Sequence, residues 1–226
     1  MAKCFLYTNC NHKDCDKICN RKLKLSYLFA ESELPEGKWT PTTLYVDGDN
    51  TDFEAFNHLA EIRNNIVRFV KAGANLYLHS SNSGNGKTSW AINLAQTYVD
   101  RTWKSQDFSS CAILFVSVPA FLEALKRNMN TRDAYAERLL TKIPKADLVI
   151  WDDIAAKSGS EYEINKLLSL IEGRITKNKS NIYTSNLNST EIYNALGSRL
   201  ASRVCNLSTD IELFGADKRF LGIQKF

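Results

Sequence analysis

No stretch of this chain reaches the roughly 18 consecutive apolar residues that a membrane-spanning helix needs, so no transmembrane segment is expected. The opening Met1-Ala-Lys-Cys4 is too polar for a secretory signal, and a cytoplasmic location with reduced cysteines is the expectation. There is no internal repeat and no low-complexity tract. Nor is there room for a helix-turn-helix or another duplex-reading module, which argues against a sequence-specific DNA reader. Neither sign of charge dominates: 29 Lys and Arg against 25 Asp and Glu leave +4, an excess that suits an acidic partner without requiring one. What is present is 226 residues, 44% hydrophobic, enough to fold one full domain and a small appendage without disulfides.

From Leu76 onward, apolar runs alternate with helical patterns. Strands are expected at Leu76-Tyr-Leu78, Ala112-Ile-Leu-Phe-Val116, Leu148-Val-Ile-Trp151 and Asn181-Ile-Tyr-Thr184, with a last one through 206–213. Helices are expected over 88–98, 119–126, 132–141, 161–176 and 190–204, and upstream over 55–72, where Phe56, Leu59, Ile62, Ile66, Phe69 and Val70 form one stripe. Continuous apolar strands between helices predict an α/β fold: a parallel sheet covered by helices on both faces.

Chemistry concentrates after the first strand. Ser81-Asn-Ser-Gly-Asn-Gly-Lys-Thr88 follows G-x-x-x-x-G-K-S/T except that Ser81 replaces the first glycine. Loop N–H groups and the helix N-terminus surround an anion. Ser83, Gly84, Asn85, Gly86, Lys87, Thr88 and Ser89 are the expected ATP-binding residues, with Lys87 on the β/γ-phosphates and Thr88 on Mg²⁺. About 65 residues later, Leu148-Val-Ile-Trp-Asp-Asp-Ile154 ends a buried strand in two carboxylates. Asp152 is expected to hold Mg²⁺ and Asp153 to orient or deprotonate water. Asn186, or Thr184, stands where it can bond the γ-phosphate or the water, though a strand-to-turn cap explains either equally well. Arg199 and Arg203 lie four apart on one helical face.

In this order these elements resemble the AAA+ ATPases, and among them the DnaC/DnaI-type helicase loaders of bacteria and phages. Asp147–Ile154, Tyr183-Thr-Ser-Asn-Leu187 and Gly197-Ser-Arg-Leu-Ala-Ser-Arg203 carry the resemblance, which covers roughly 55–226. It implies an AAA+ P-loop sheet and ATP hydrolysis, with Asn186 as sensor 1 and Arg203, or Arg199, as the finger offered to a neighbouring subunit. Arg219 corresponds to a weak sensor 2. About a dozen residues follow the last strand, too few for a full C-terminal lid. The implied partners are the hexameric replicative DNA helicase, single-stranded DNA and further copies of the chain. Lys157, Ser160 and Tyr162, after the acidic pair, are the candidate DNA contacts, although Ser160 equally suits a helix cap. A transposition helper ATPase of the IstB kind shares this core. An adaptor that binds ATP without significant hydrolysis is the third reading, favoured by Ser81.

Cys4, Cys10, Cys15 and Cys19 are spaced C-x5-C-x4-C-x3-C around His12. Four clustered thiols suit tetrahedral Zn²⁺, with an iron–sulfur cluster or free thiols as the alternatives. The expected organisation is a zinc module and linker over 1–40, gripping the helicase by resemblance, and an ATPase domain over 41–226. Cys111 and Cys205 read as core residues. Asp47–Asp52 lacks the Gly and Glu of a Ca²⁺ loop and reads as a turn and helix N-cap, and His79 reads as a strand end. Metal analysis of the native protein should give about one zinc per chain. The Cys15→Ser/Cys19→Ser protein should lose both the metal and helicase capture, and a metal-free native protein would reject the module.

Overall fold

The computed structural model describes residues 19–35, 52–106, 111–156 and 159–217. Cys4, Cys10, His12, Cys15, Lys157 and Arg219 lie outside them. The elements are α1 (Asn20–Ala30), α2 (Phe53–Asn64), α3 (Ile66–Lys71), β1 (Asn75–His79), α4 (Lys87–Thr102), β2 (Ile113–Ser117) and α5 (Val118–Asn128). They continue with α6 (Ala134–Lys142), β3 (Leu148–Asp152), α7 (Glu161–Thr176), β4 (Ser180–Ser185), α8 (Ser189–Cys205) and β5 (Thr209–Glu212). The five strands pair in parallel in the order β2-β3-β4-β1-β5.

The two-residue strand period sorts the core into layers. Leu76, Leu78, Ile113, Phe115, Leu148, Ile150 and Ile182 pack with α1–α4 on one face. Tyr77, Leu114, Val116, Val149, Trp151 and Tyr183 pack with α5–α8 on the other. Both faces are buried, which is why the strands read as unbroken apolar runs. No described helix is long and apolar enough to cross a membrane.

Three expectations change. The helix over 55–72 breaks at Asn65, whose φ −112° and ψ 18° leave the helical region while its side-chain amide donates to the Glu61 carbonyl at 3.1 Å. The last strand is shorter than 206–213, because residues 206–208 turn off the end of α8, with the Asn206 N–H on the Ser202 carbonyl (3.1 Å) and the Ser208 N–H on the Cys205 carbonyl (3.2 Å). Within α8, Gly197 (φ 76°, ψ 159°) interrupts the helix. The third change concerns the linker. Leu25, Leu28, Phe29 and Leu34 are buried in the α1–α4 core, and the Phe115 N–H donates to the Ser32 carbonyl at 2.7 Å, covering the edge of β2. Glu33 pairs with Arg138 (2.6 Å) and Lys142 (3.2 Å), which offset its burial and hold its carboxyl below the usual range. The described residues of this N-terminal stretch therefore share the core of the sheet.

At the N-terminal ends of the strands, Arg174 of α7 is buried with no carboxylate in ion-pair contact among the described residues. Its guanidinium donates to Asn181 Oδ1 (2.7 Å) and to the carbonyls of Ile143 (2.6 Å), Ala146 (2.8 Å), Asp147 (3.4 Å) and Ser180 (2.5 Å). Burial lowers its pKa to about 10, still charged at neutral pH. Asn181 is satisfied in turn: its Oδ1 also accepts from Trp151 Nε1 (3.0 Å), and its Nδ2 donates to Asn75 Oδ1 (2.9 Å) and the Lys179 carbonyl (3.0 Å). Arg174→Met keeps the bulk and strands these acceptors. It should destabilise the fold by about 3 kcal/mol in urea unfolding, and a loss below about 1 kcal/mol would contradict the role given to this node.

Candidate functional site

β1 ends at His79, and the chain turns at once into the phosphate loop. Gly84 (φ 73°) and Gly86 (φ 108°) take left-handed conformations that side chains resist, so the two glycines are required by the turn itself. Gly86 then caps α4, whose first turn aims the N–H groups of Lys87, Thr88 and Ser89 at the loop's interior. Ser81 is exposed and lies outside this cradle. Lys87 is buried, with Nζ donating to the Asn82 carbonyl (2.8 Å) and Asn85 Oδ1 (3.3 Å). Asn85 is itself fixed, its Nδ2 donating to Ser80 Oγ (2.6 Å) and the Leu213 carbonyl (3.1 Å).

The adjacent acids come from β3. The pairing of β3 with β4, Leu148 opposite Ser180 through Trp151 opposite Tyr183, carries Asp152 to the level of Thr184. Thr184 Oγ1 accepts from the Asp153 N–H at 3.0 Å, so its own proton points to Asp152 Oδ1 at 2.8 Å. Thr88 Oγ1 donates to the same oxygen at 2.8 Å. Burial pushes the Asp152 carboxyl above the usual carboxylate range, against the opposing pull of the two hydroxyls and Lys87. A buried carboxylate beside a hydroxyl is a hard-oxygen donor set, and a divalent cation there would relieve the burial of its charge. The residues thus fit Mg²⁺.

Beyond β3 the chain bends sharply. Asp153 (φ 54°) and Ala155 (φ 70°) both adopt the left-handed region although neither is glycine. The bend is held by the Ile154 N–H on the Thr184 carbonyl (2.9 Å) and by Ser185 Oγ on the Ile154 carbonyl (2.9 Å). Asp153 and Asn186 consequently line one cavity of about 200 Å³ with the loop residues Gly84 to Ser89.

Other expected residues are placed elsewhere. Arg203 Nε lies 3.3 Å from Glu172 of α7, while Arg199 is exposed just beyond the Gly197 break. Neither lines the cavity of its own chain, as a group acting on a neighbour would not. Ser160 caps α7 in a reciprocal box with Glu163, while Tyr162 is exposed. Cys19 caps α1, its sulfur accepting from the Lys22 N–H at 3.5 Å. Burial raises the thiol pKa of Cys111 and of Cys205 to about 11, which suits inert core residues. His79 is a buried strand end, 2.9 Å from Asp210.

Sequence reasoning missed Asn82 and the long-range task of Asp52, which does occupy the expected N-cap position of α2. Asp52 precedes α2 but makes no side-chain cap. It accepts instead from the N–H groups of Phe214 (2.6 Å) and Gly215 (3.1 Å), 162 and 163 positions away. Nothing in the local pattern announces a bond over that separation.

The phosphate loop, the buried strand-end acid beside it and the β2-β3-β4-β1-β5 order define an ATP-binding domain of the AAA+ P-loop type. Within that class, the chain belongs to the IstB-like ATP-binding protein family, whose profile matches residues 45–204. Among solved structures, a putative primosome component from Streptococcus pyogenes serotype M3 superposes with a TM-score of 0.63 at 18% identity, over 86% of this chain and 98% of that one. The DnaC helicase loader gives 0.60 at 17%, over 75% and 93%, and DnaI gives 0.59 at 23%, over 80% and 95%. No match is found among curated proteins.

Proposed function

We propose that this chain is an ATP-hydrolysing loader of a replicative DNA helicase, acting in the cytoplasm of a bacterial or phage-infected cell. The observation that carries the hydrolytic part is the convergence of Lys87, Thr88, Asp153 and Asn186 on one cavity, with Asp152 bonded to Thr88. Thr88 and Asp152 would hold Mg²⁺. Bound there, the ion would supply charge neutralisation for the phosphates. Lys87 would exchange the Asn82 carbonyl and Asn85 Oδ1 for phosphate oxygens. Asp153 would orient the attacking water and accept its proton, and Asn186 would bond the water or the γ-phosphate. Arg203, or Arg199, would reach a neighbouring copy's ATP.

Support for the loading role comes from the size and reach of the fold. The chain spans 93% of a structure described as a helicase loader and 98% of one described as a primosome component. In this reading Cys4, Cys10, Cys15 and Cys19 hold Zn²⁺ in a helicase-gripping module ahead of α1. Lys157 and the exposed Tyr162 contact single-stranded DNA, whereas the Ser160 hydroxyl is committed to its cap. A transposition helper is the second reading, favoured by the family's own description. It differs in partner, a transposase in place of a helicase.

Turnover at high protein concentration tests the site between subunits. Arg203→Ala and Asp153→Ala should each cut ATPase activity by at least about tenfold, and mixing the two should restore part of it. Undiminished activity in the Asp153 variant would reject the hydrolytic assignment. Full activity in Arg203→Ala and Arg199→Ala alike would reject the finger.

A further inference from the structure

The segment after β5, residues 213–217, lies across the phosphate loop and is held there by two asparagines of the loop and by Asp52. Asn82 Nδ2 donates to the Phe214 carbonyl at 2.9 Å and Asn85 Nδ2 to the Leu213 carbonyl at 3.1 Å. Asp52 grips the same segment through the Phe214 and Gly215 N–H groups. The Asp217 carboxylate then rests on the α-carbon of Gly84, where even a methyl group would collide with it. Gly84 lines the nucleotide cavity, so a carboxylate sits at the rim of a site built from N–H groups and Lys87 to receive anions. Lys87 shares this network, since its acceptors are the Asn82 carbonyl and the Asn85 side chain.

We infer that residues 213–217 form a strap that ATP displaces, with Asp217 as its latch. This inference rests on the ATP-site reading above. A triphosphate entering the loop meets the Asp217 charge and draws Lys87 away from Asn82 and Asn85. The two amides that hold the strap are loosened by the same movement. ATP binding is thereby converted into release of residues 213–217.

The test is titration of the full chain with mant-ATP and Mg²⁺, comparing wild type, Asp217→Asn and Asp217→Ala. Both variants should bind about tenfold more tightly at low ionic strength, and the gain should shrink at about 0.5 M salt as the charge is screened. In wild type, amide exchange at Phe214 and Gly215 should accelerate when ATP is added. Wild-type binding with equal or weaker affinity in both variants would overturn the latch and leave the ATP site standing. Absence of binding by all three proteins would overturn the site and the latch together.

Discussion

The guanidinium of Arg174 is buried with no carboxylate in ion-pair contact among the described residues, and carbonyl oxygens from several segments surround it instead. Those carbonyls belong to the ends of α6 and the turn into β3, and to the start of β4. Asn181 extends the node through Asn75 into β1 and through Trp151 into β3. A one-residue slip of β4 against β3 would strand this network and invert every strand side chain between the two core layers. The node therefore sets, from the far end of the sheet, the register that carries Asp152 to the level of Thr184. The phosphate-loop end is assembled by polar contacts made at the opposite end.

At the phosphate-loop end the same logic repeats on a smaller scale. Asp152 is a buried carboxylate supplied with two hydroxyl donors and a partly opposing lysine field, an arrangement that leaves its charge undercompensated. Asp153 and Ala155 hold left-handed backbone because β4 stitches them down. Stability is given up where a cation and a polyanion are to be received, as expected of a site shaped for ligand rather than for the empty fold.

Much of this was legible in the sequence because it is periodic or conformationally compulsory. The strands announce themselves as unbroken apolar runs, and Gly84 and Gly86 sit where only glycine turns easily. Asp152 and Asp153 close a strand at the right distance from the loop. What escaped is held by bonds between distant segments that leave no local trace. Arg174 reads as one more charge on an amphipathic helix. Asn82 reads as an unspecified position of the phosphate-loop motif and Asp52 as a helix N-cap, although both bind backbone more than 130 positions away. The Asn65 break hides inside a well-formed apolar stripe. The docking of α1 was obscured by the Pro and Gly that follow it, which suggest a linker beginning where Leu34 is core.

The central proposal is that Asp152 is buried at a cost in order to serve Mg²⁺ and ATP, and thermal unfolding of wild type and Asp152→Asn tests it most directly. The raised carboxyl pKa means that the folded protein bears the burden of the ionised form above that pKa, and sheds it in acid, where the group is protonated in both states. Asparagine retains an oxygen for Thr88 and Thr184 without the charge. Without ligand, Asp152→Asn should therefore melt higher than wild type at pH 7, with the difference fading below the usual carboxylate range. Mg²⁺ with ATP should raise the wild-type Tm by several degrees and leave the variant nearly unmoved. A variant less stable than wild type when free of ligand, or one stabilised equally by Mg²⁺ with ATP, would contradict the account.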